Sequence, residues 1–323
     1  MPQNPTRRST KQVSGEDIVV ETAWLYYHDG LNQSEIANRL LVSRATVVNY
    51  LQEARERGYI HTKLSPEAFN THRTALALRD RFGLKAAYIL PDGTGGQDDH
   101  ASRIIRGAAD WLPSLLEPGD RLGVAWGKTI YDVAEGLEQT VIPDLTVMQL
   151  VGSMATPYGF SADVCSSNVA RKFSAKCINL HVPAILSTAE IAATLRAESL
   201  IARQLDAIRH CNKILFAVGS CKPDSHVASS GVATQKELED YIANGAAGVL
   251  CGRFIDAKGD PVSGPLDDRM MGIELEELRH RDMGILVSVG EERVPAAIAA
   301  IRGGYVTHVV TNQSCAAAMM ERA

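Results

Sequence analysis

The sequence lacks the marks of several large classes of protein. No apolar run in its 323 residues approaches the roughly 20 residues that a membrane-spanning helix needs. The six cysteines are Cys165, Cys177, Cys211, Cys221, Cys251 and Cys315. Because they are scattered and form no CxxC pair, they argue against a disulfide framework and a structural zinc site, and we expect reduced thiols in a cytoplasmic protein.

Motifs for nucleotides and metals are also absent. The chain has neither GxGxxG nor GxxxxGK[ST], so a bound nucleotide is not expected. Its nine histidines show no HExxH spacing and do not cluster with cysteine, so we expect no metal site and no cofactor. Internal repeats and low-complexity segments are missing as well.

What is present is the composition of a globular protein with an uneven charge. Apolar residues make up 45% and charged residues 22% of the 323-residue chain, and this length suggests about two domains. The net charge is −5, but residues 1–64 hold eight Lys and Arg against seven Asp and Glu, a net of +1, which leaves −6 for the remainder. Residues 1–15 are basic and have no apolar centre, so we expect a disordered tail rather than a signal peptide.

After this tail, the sequence up to residue 64 has the pattern of a helix-turn-helix. A first helix is expected from Glu16 to about His28, with Ile18, Trp24 and Leu25 buried.

Two further helices follow. Residues 33–40 form an amphipathic helix that Asn32 caps, with Glu35 in the reciprocal position of a capping box. "LVS" is then a tight turn, and Ser43 is a suitable N-cap for a third helix over residues 44–57.

The third helix is the candidate for reading DNA. At about 100° per residue, Val47, Leu51 and Ala54 fall together and must face the other helices, which turns Asn49 outward. Asn pairs bidentately with adenine and Arg with guanine, and an Ala or Thr methyl can contact a thymine methyl. The residues expected to contact DNA are Gln33, Ser34, Ser43, Arg44, Ala45, Thr46, Asn49 and Tyr50. The alternative is a structural three-helix corner whose polar side is only hydrated.

Beyond this helix the pattern changes. Gly58 ends the helix, and a short extended piece with Lys63 is expected to form a wing that touches phosphate. Residues 65–82 predict one linker helix. Over residues 83–323, apolar strands alternate with helices such as 190–210, which predicts an α/β domain with a parallel sheet covered on both faces. The predicted strands are "KAAYIL", "RLGVAW", "LTVMQLVG", "ILFAVG", "GVLCGRFID", "GILVSVG" and "THVVT".

Ligands of such sheets bind where the carboxyl ends of strands meet helix N-termini. "GVAWGKT" places Gly127, Lys128 and Thr129 directly before a helix, where backbone N–H groups, a charge and a hydroxyl suit a phosphate or another anion. Polar residues in the neighbouring loops complete a sugar, polyol or sugar-phosphate pocket. The residues expected to bind this effector are Gly127, Lys128, Thr129, Gly152, Ser153, Asn168, Arg171, Asp224, His226, Arg253, Asp256 and Arg293. Each loop alone is a weak signal, because strand-to-helix turns need glycine in any case.

Five blocks of the sequence, taken in order, resemble the SorC family of bacterial transcriptional regulators, which is grouped with DeoR-type sugar-responsive regulators. The blocks are "AWLYYHDGLNQSEIANRLLVSRATVVNYLQEARERGYI", "RFGLKAAYIL", "GDRLGVAWGKTIYDVAEGL", "GRFIDAKG" and "AAIAAIRGGYVTHVVTNQSCAAAMM". The likeness covers nearly the whole chain from about residue 18.

The resemblance implies operator DNA as a partner and control of carbohydrate catabolism genes by a sugar, polyol or sugar phosphate. It implies an effector domain folded like glucosamine-6-phosphate deaminase and ribose-5-phosphate isomerase, and a homodimer or homotetramer. In similar regulators the pocket is lined by the loop matching residues 127–129, the loop after Gly152, and the positions of Asn168 and Asp256.

Two departures from the family pattern stand out. The last loop commonly carries Lys in the family, and Arg293 is its nearest equivalent here. The family's recognition helix often has Ser-Arg where this chain has Val48 and Asn49, which implies a different operator sequence.

Two other functions compete with that of a regulator. "PDSHVA" is reminiscent of the D-G-H-I-A stretch of sugar-phosphate deaminases, and the alternative is therefore a sugar-phosphate isomerase or deaminase-like enzyme. Chemistry needs an acid and a base within reach of the substrate, and no second carboxylate or nucleophile lies at a convincing position. A pure interaction module would leave the polar sheet-end loops unexplained. We therefore expect a regulator and no catalysis.

Overall fold

The computed structural model describes residues 15–60, 64–154, 161–222, 233–279 and 281–322. The chain divides into two compact units, Met1–Leu64 and Ser65–Ala323. Within the described ranges, no helix is both long and apolar enough to cross a bilayer.

The small unit contains three helices in its described part. They are α1 (Gly15–Tyr27), α2 (Gln33–Leu40) and α3 (Arg44–Glu56). Leu25, Ile36, Val47 and Leu51 form one buried cluster between the helices, and a second cluster joins Val19, Ala23 and Ala54. The amphipathic pattern of α2 and α3 predicted these inward faces correctly. The described residues of this unit form no strand, and the expected wing at Lys63 lies outside them.

The orientation of Trp24 on α1 was predicted wrongly. The side chain is 54% exposed, whereas Val19 and Ala23 are buried. Trp24 lies about 140° around the helix from Val19, so the two cannot share an inward face. Its indole instead stacks on His28, with ring centroids 4.2 Å apart.

The large unit alternates strands and helices, as expected. Its strands are β1 (Ala86–Leu90), β2 (Arg121–Val124), β3 (Thr146–Gln149), β4 (Lys176–Ile178), β5 (Lys213–Phe216), β6 (Val218–Gly219), β7 (Ala246–Leu250), β8 (Arg253–Asp256), β9 (Met283–Val287) and β10 (His308–Asn312). Its α-helices are α4 (Pro66–Asn70), α5 (Arg73–Phe82), α6 (Gln97–Trp111), α7 (Lys128–Gly136), α8 (Ala162–Lys172), α9 (Ala189–Ala197), α10 (Ser199–Arg209), α11 (Gln235–Ala243), α12 (Leu275–Leu278), α13 (Val294–Arg302) and α14 (Gln313–Glu321).

The described part of the large unit forms a seven-stranded parallel sheet in the order β1-β10-β9-β5-β2-β3-β4. From β2 the chain moves outward through β3 to β4, and from β5 it moves outward the other way through β9 to β10. The strand order therefore reverses between β2 and β5. In open α/β sheets the carboxyl ends of the strands at such a reversal form the ligand-binding crevice.

Helices cover both faces of this sheet, as the apolar strands predicted. One buried cluster joins one sheet face to α5, α10, α13 and α14, through residues such as Leu78 and Ile298. A second cluster joins the other face to α6, α7 and α8, through residues such as Ile104 and Val133. Such double cover makes the strands apolar on both sides. β4 was not predicted, because its residues are half-buried or exposed on an edge strand.

"GVLCGRFID" was predicted as one parallel strand, and this was wrong. It forms an antiparallel hairpin of β7 and β8, which joins β6 in a separate small sheet. Cys251 and Gly252 form the turn, with φ of 50° and 82°. Two consecutive residues at positive φ match the right-handed twist of a two-residue hairpin.

Two predicted long helices are each divided. Residues 65–82 form α4 and α5 rather than one linker helix, because His72 is extended and caps α5. Ala75 and Leu78 of α5 are buried in the core of the large unit. Residues 190–210 form α9 and α10, separated at Glu198, which has an extended backbone.

Candidate functional site

Both α2 and α3 begin at the N-caps that the sequence predicted. Asn32 Oδ1 accepts hydrogen bonds from the backbone N–H groups of Ser34 and Glu35, at 3.0 and 3.1 Å. Glu35 Oε2 accepts from the Asn32 N–H at 2.7 Å, which completes the capping box. Ser43 Oγ accepts from the Thr46 N–H at 3.0 Å and begins α3. These bonds fix the residues at which α2 and α3 begin.

The outward face of α3 consists of small and polar side chains. Ala45, Val48, Asn49 and Gln52 are exposed, on the side opposite the buried stripe. No hydrogen bond to the Asn49 side chain occurs within the described residues, whereas Gln52 Nε2 donates to Glu56 Oε1 at 2.8 Å. The Asn49 amide is therefore free to pair with a base edge.

The other residues predicted to contact DNA surround this face unevenly. Arg44 is exposed, and its Nε donates to Gln33 Oε1 at 3.3 Å, which places the guanidinium beside the start of α2. Ser34 is exposed next to it. Ser43 Oγ and Thr46 Oγ1 lie 2.8 Å apart and use part of each other's hydrogen-bonding capacity. Tyr50 is turned toward the core, where its ring packs against the cluster around Val19.

In the large unit, the loop after β2 opens at the reversal point of the sheet. Gly127 has φ of 114° and ψ of 165° and is the N-cap of α7 without a side-chain cap. Lys128 is exposed and its Nζ lies 2.5 Å from Asp132 Oδ2, while Thr129 is half-buried in the first turn. The N-terminus of α7 thus presents backbone donors, a hydroxyl and a balanced charge pair at the sheet's carboxyl edge.

The loop after β3 brings together a second polar group. The Gly152 N–H donates to the Met271 carbonyl at 2.9 Å, and a Cβ there would lie 2.7 Å from the backbone of Pro183, so Gly152 allows close packing. Ser153 Oγ donates to Asp163 Oδ1 at 3.0 Å and accepts from Gln149 Nε2 at 3.2 Å. Ser153 and Asp163 therefore form a hydroxyl–carboxylate pair at this edge.

Asp163 was missed by the sequence analysis. Partial burial acts to raise its pKa, but hydrogen bonds from the Ser161 and Ser153 side chains and from backbone N–H groups outweigh it and lower the pKa below its ordinary value. An ionised carboxylate of this kind accepts hydrogen bonds from ligand hydroxyls. The signal available in the sequence was "SAD" at the start of α8, where acidic residues favour a helix N-terminus.

Asn168 and Arg171 are not at this edge. Both lie in the second half of α8, and Asn168 Nδ2 donates to Glu135 Oε1 at 2.6 Å, near the end of α7. An Arg171 N–H group donates to Asn168 Oδ1 at 3.5 Å. Because both helices begin at the carboxyl edge of the sheet and run away from it, these residues link the far ends of α7 and α8.

Arg253 and Asp256 lie at the two ends of β8, in the small antiparallel sheet, and their side chains bond to other groups of the protein. Arg253 begins β8 and is 4% exposed, and it donates to the Ile273 carbonyl at 2.8 Å and to Glu274 Oε1 at 2.5 Å. Asp256 ends β8, and its Oδ1 accepts from the N–H groups of Lys258 and Asp260, at 2.8 and 2.9 Å. Desolvation acts to raise the pKa of Asp256, but the hydrogen bonds from these backbone N–H groups together outweigh it and lower the pKa.

Of the three remaining predicted residues, Arg293 lies at the carboxyl edge, and Asp224 and His226 lie outside the described residues. Arg293 lies in the short helical turn after β9, and its guanidinium donates to the Val289 carbonyl at 2.9 Å. Its Nε is 3.7 Å from Glu292 Oε1. Asp224 and His226, with the "PDSHVA" stretch, lie outside the described residues. Lys128, Thr129, Ser153 and Arg293 therefore lie in loops or helix starts at the carboxyl edge.

A groove of about 610 Å³ lies on the outer side of the same region, between α6 and α7. It is lined by Asp99, Ser102, Arg103, Ile105, Arg106, Asp132 and Gly136. None of these belongs to the predicted effector set. Asp132 connects the groove to Lys128, its ion-pair partner.

Comparisons with known proteins match both units. The family model described as "Putative sugar-binding domain" matches residues 67–321, and the MarR family model matches residues 23–68. The chain is similar to the "Uncharacterized transcriptional regulator YjhU" of Escherichia coli (strain K12), with 37% identity over 314 residues and 96% of each chain covered. It is also similar to the "Deoxyribonucleoside regulator" of Bacillus subtilis (strain 168), with 28% identity over 311 residues, 94% of this chain and 97% of the relative.

Among solved structures, the fold matches that of the full-length sorbitol operon regulator SorC from Klebsiella pneumoniae. The TM-score is 0.80 at 23% sequence identity, over 95% of this chain and 99% of that one. At this identity the match concerns the fold. The parallel sheet preceded by a helical N-terminal unit is therefore an architecture that this solved regulator shares.

Proposed function

The chain belongs to the SorC family of transcriptional regulators, and we propose that it reads operator DNA with α3 and senses a sugar, polyol or sugar phosphate at the carboxyl edge of its large sheet. The observation that carries the first half is the exposed Asn49 amide, which has no hydrogen-bond partner among the described residues, on a helix whose start Ser43 caps. The protein acts as a homodimer or homotetramer, so that two small units can occupy successive major grooves of a pseudo-palindromic operator.

The side chains around Asn49 support this role. Ala45 and Val48 offer apolar contact to thymine methyl groups, and Arg44 stands beside the start of α2, where it can reach guanine or phosphate. Helix-turn-helix proteins place the N-terminal residues of the second helix against base edges. Tyr50 is the weakest member of the predicted set, since its ring packs inward.

The effector half rests on the reversal of strand order between β2 and β5. The N-terminus of α7 and the Ser153–Asp163 pair both follow strands on one side of that point, β2 and β3. Backbone donors at a helix start, two hydroxyls and a carboxylate suit a polyhydroxylated ligand, and Lys128 and Arg293 are the available cations.

Two measurements on the full-length chain test the proposal. Selection from a random duplex library should enrich a sequence with two inverted half-sites about one helical turn apart. Thermal melting against a panel of sugars, polyols and sugar phosphates should identify a compound that raises the melting temperature without being consumed and that changes the affinity for the selected duplex. If the selection enriches no sequence, the proposed DNA-reading role is wrong. If a stabilising compound is turned over, the enzyme alternative is restored.

A further inference from the structure

The outward face of α1 carries an exposed stripe of apolar and aromatic side chains. Val20 is 49%, Trp24 54% and Tyr27 40% exposed, and His28 stacks on Trp24 with ring centroids 4.2 Å apart. Residues spaced by three, four, seven and eight positions share one face of a helix, so these four side chains form a continuous surface. We name these residues, Val20, Trp24, Tyr27 and His28, the aromatic stripe.

The charged side chains that α1 itself carries are all acidic. Glu16, Asp17 and Glu21 are all exposed on the first half of the helix, which carries no Lys or Arg. These carboxylates disfavour a polyanion at the start of the stripe, while at its other end Arg55 of α3 donates from Nε to the Tyr27 hydroxyl at 3.2 Å. Glu21 borders the stripe and forms no ion pair within the described residues.

The stripe is complementary to itself in one arrangement. When two copies of α1 pack antiparallel about a two-fold axis through Trp24, residues on the same side of the stripe and at opposite heights meet. Val20 then lies opposite Tyr27 of the second copy, and Glu21 lies opposite His28 of the second copy. The contact therefore pairs an apolar side chain with an aromatic ring, and a carboxylate with an imidazole, twice each. It extends over about 12 Å of helix, from Val20 to His28.

We propose that the aromatic stripe is the surface through which two small units of this protein contact each other, α1 against α1, in the antiparallel arrangement centred on Trp24. The few side chains involved bury far less than the roughly 800 Å² per partner of a stable interface. The contact is therefore weak by itself and forms where two units are already held close together, as on neighbouring half-sites or within an oligomer of the large unit. The proposal goes beyond operator reading and rests on it only for the DNA-bound case.

Cross-linking of the full-length chain tests this contact. In a background in which the exposed Cys177 is changed to Ser, Trp24→Cys places a thiol at the two-fold axis, and Asn38→Cys places one on the exposed side of α2 as the matched control. With a short bismaleimide, the Trp24→Cys chain should give a covalent dimer that increases when the selected duplex is added. Equal yields from both variants, or a dimer from Asn38→Cys alone, would rule the arrangement out.

A charge exchange gives a second readout that keeps the indole. Glu21→Lys and His28→Glu should each weaken duplex binding about fivefold, since each replaces two attractive pairs by repulsive or unfavourable ones. The double variant should recover the affinity of the natural chain, because the pairs are restored in reverse. Additive losses would contradict the arrangement. If the natural chain binds no selected duplex at all, the regulator proposal fails, and the cross-link still decides whether α1 meets α1.

Discussion

Asn49 is the residue on which the reading of bases depends most. Its amide can donate to and accept from one adenine edge at once, which no neighbouring side chain on α3 can copy, because Gln52 is already bonded to Glu56. We expect Asn49→Ala to weaken binding to the selected duplex by about 1–3 kcal/mol, with little change on random DNA. Titration of both duplexes at one salt concentration measures the difference.

The matched control for this prediction is Asn38→Ala. Asn38 is likewise exposed, but it lies on α2, away from the outward face of α3. Its substitution should leave both affinities unchanged. Equal losses from the two variants would show that α3 does not carry the recognition.

Lys128 and Thr129 are the strongest pair in the proposed pocket. Removing both side chains takes away a cation and a hydroxyl at the start of α7 while the buried residues of that helix, Ile130 and Val133, stay in place. Lys128→Ala with Thr129→Ala should abolish the ligand-induced rise in melting temperature and leave duplex binding by the free protein intact. Lys236→Ala, at an exposed position on α11, should keep the full response. A double variant that still responds at the same ligand concentration would place the pocket elsewhere.

His308 gives the stability of the large unit a predictable dependence on pH. Burial lowers the pKa of His308 to about 4, and the positive charges of Lys85 and Lys213 act in the same direction. An unfolded histidine titrates near pH 6.5, so between about pH 6.5 and 4 only the unfolded chain takes up this proton. The stabilisation by neutral His308 is therefore present above about pH 6.5 and is lost as the pH falls through that window.

His308→Asn isolates this contribution, because an amide oxygen can replace Nδ1, which lies 2.8 Å from Thr307 Oγ1. Between pH 7 and 4.5 the free energy of unfolding should fall by about 2 kcal/mol more in the natural chain than in the variant, as measured by urea unfolding. His210→Asn, at an exposed histidine, should follow the natural chain. Identical pH profiles for all three chains would contradict the assignment.

Among the elements, α7 begins at a residue whose backbone conformation favours glycine. Gly127 has φ of 114° and ψ of 165°, a conformation that side-chain-bearing residues rarely adopt, although a Cβ there would meet no atom within 4 Å. Gly127→Ala should therefore cost about 1–3 kcal/mol of stability through backbone strain alone. The midpoint of urea unfolding should fall at an unchanged slope.

Gly96 is the comparison for this prediction. It is also an N-cap without a side-chain bond, before α6, and a Cβ there would likewise meet nothing, but its φ is −76°. Gly96→Ala should thus change the unfolding midpoint very little. A similar cost at both positions would point to lost glycine solvation or capping rather than to strain at Gly127.

The elements that the sequence predicted well are those with local signals. Asn32, Glu35 and Ser43 mark the starts of α2 and α3, because their side chains bond to backbone groups within three residues. The hairpin of β7 and β8 was hidden because Cys251 has no turn preference, and only the fold holds it at positive φ. Arg253 was therefore predicted at the end of a parallel strand, whereas it begins the second strand of the hairpin. The local sequence is the same in both cases and does not distinguish them.

At the scale of the whole molecule, alternating apolar strands and helices were enough to predict a doubly covered parallel sheet. This pattern was not enough to predict which side chains lie together at the carboxyl edge of the sheet. Asn168 and Arg171 lie in the second half of α8, away from the edge, where Asn168 contacts Glu135 of α7 and Arg171 contacts Asn168. Asp163, at the start of α8, was overlooked. The distance of a helical side chain from this edge depends on its position along the helix, and the pattern of apolar strands contains no information about that position.

In a regulator with an effector unit and a DNA-binding unit, the coupling between the two ligands must be reciprocal. If the effector changes the affinity for the selected duplex by some factor, the duplex must change the affinity for the effector by the same factor. Calorimetric titration of the effector into the full chain, with and without saturating duplex, should return the ratio found in the DNA titrations. A chain restricted to residues 65–323, which contains both large core clusters, should bind the effector with one affinity regardless of DNA. Ratios that disagree would contradict a simple cycle of four states and would mean that a further equilibrium, such as a change in subunit number, is coupled to binding.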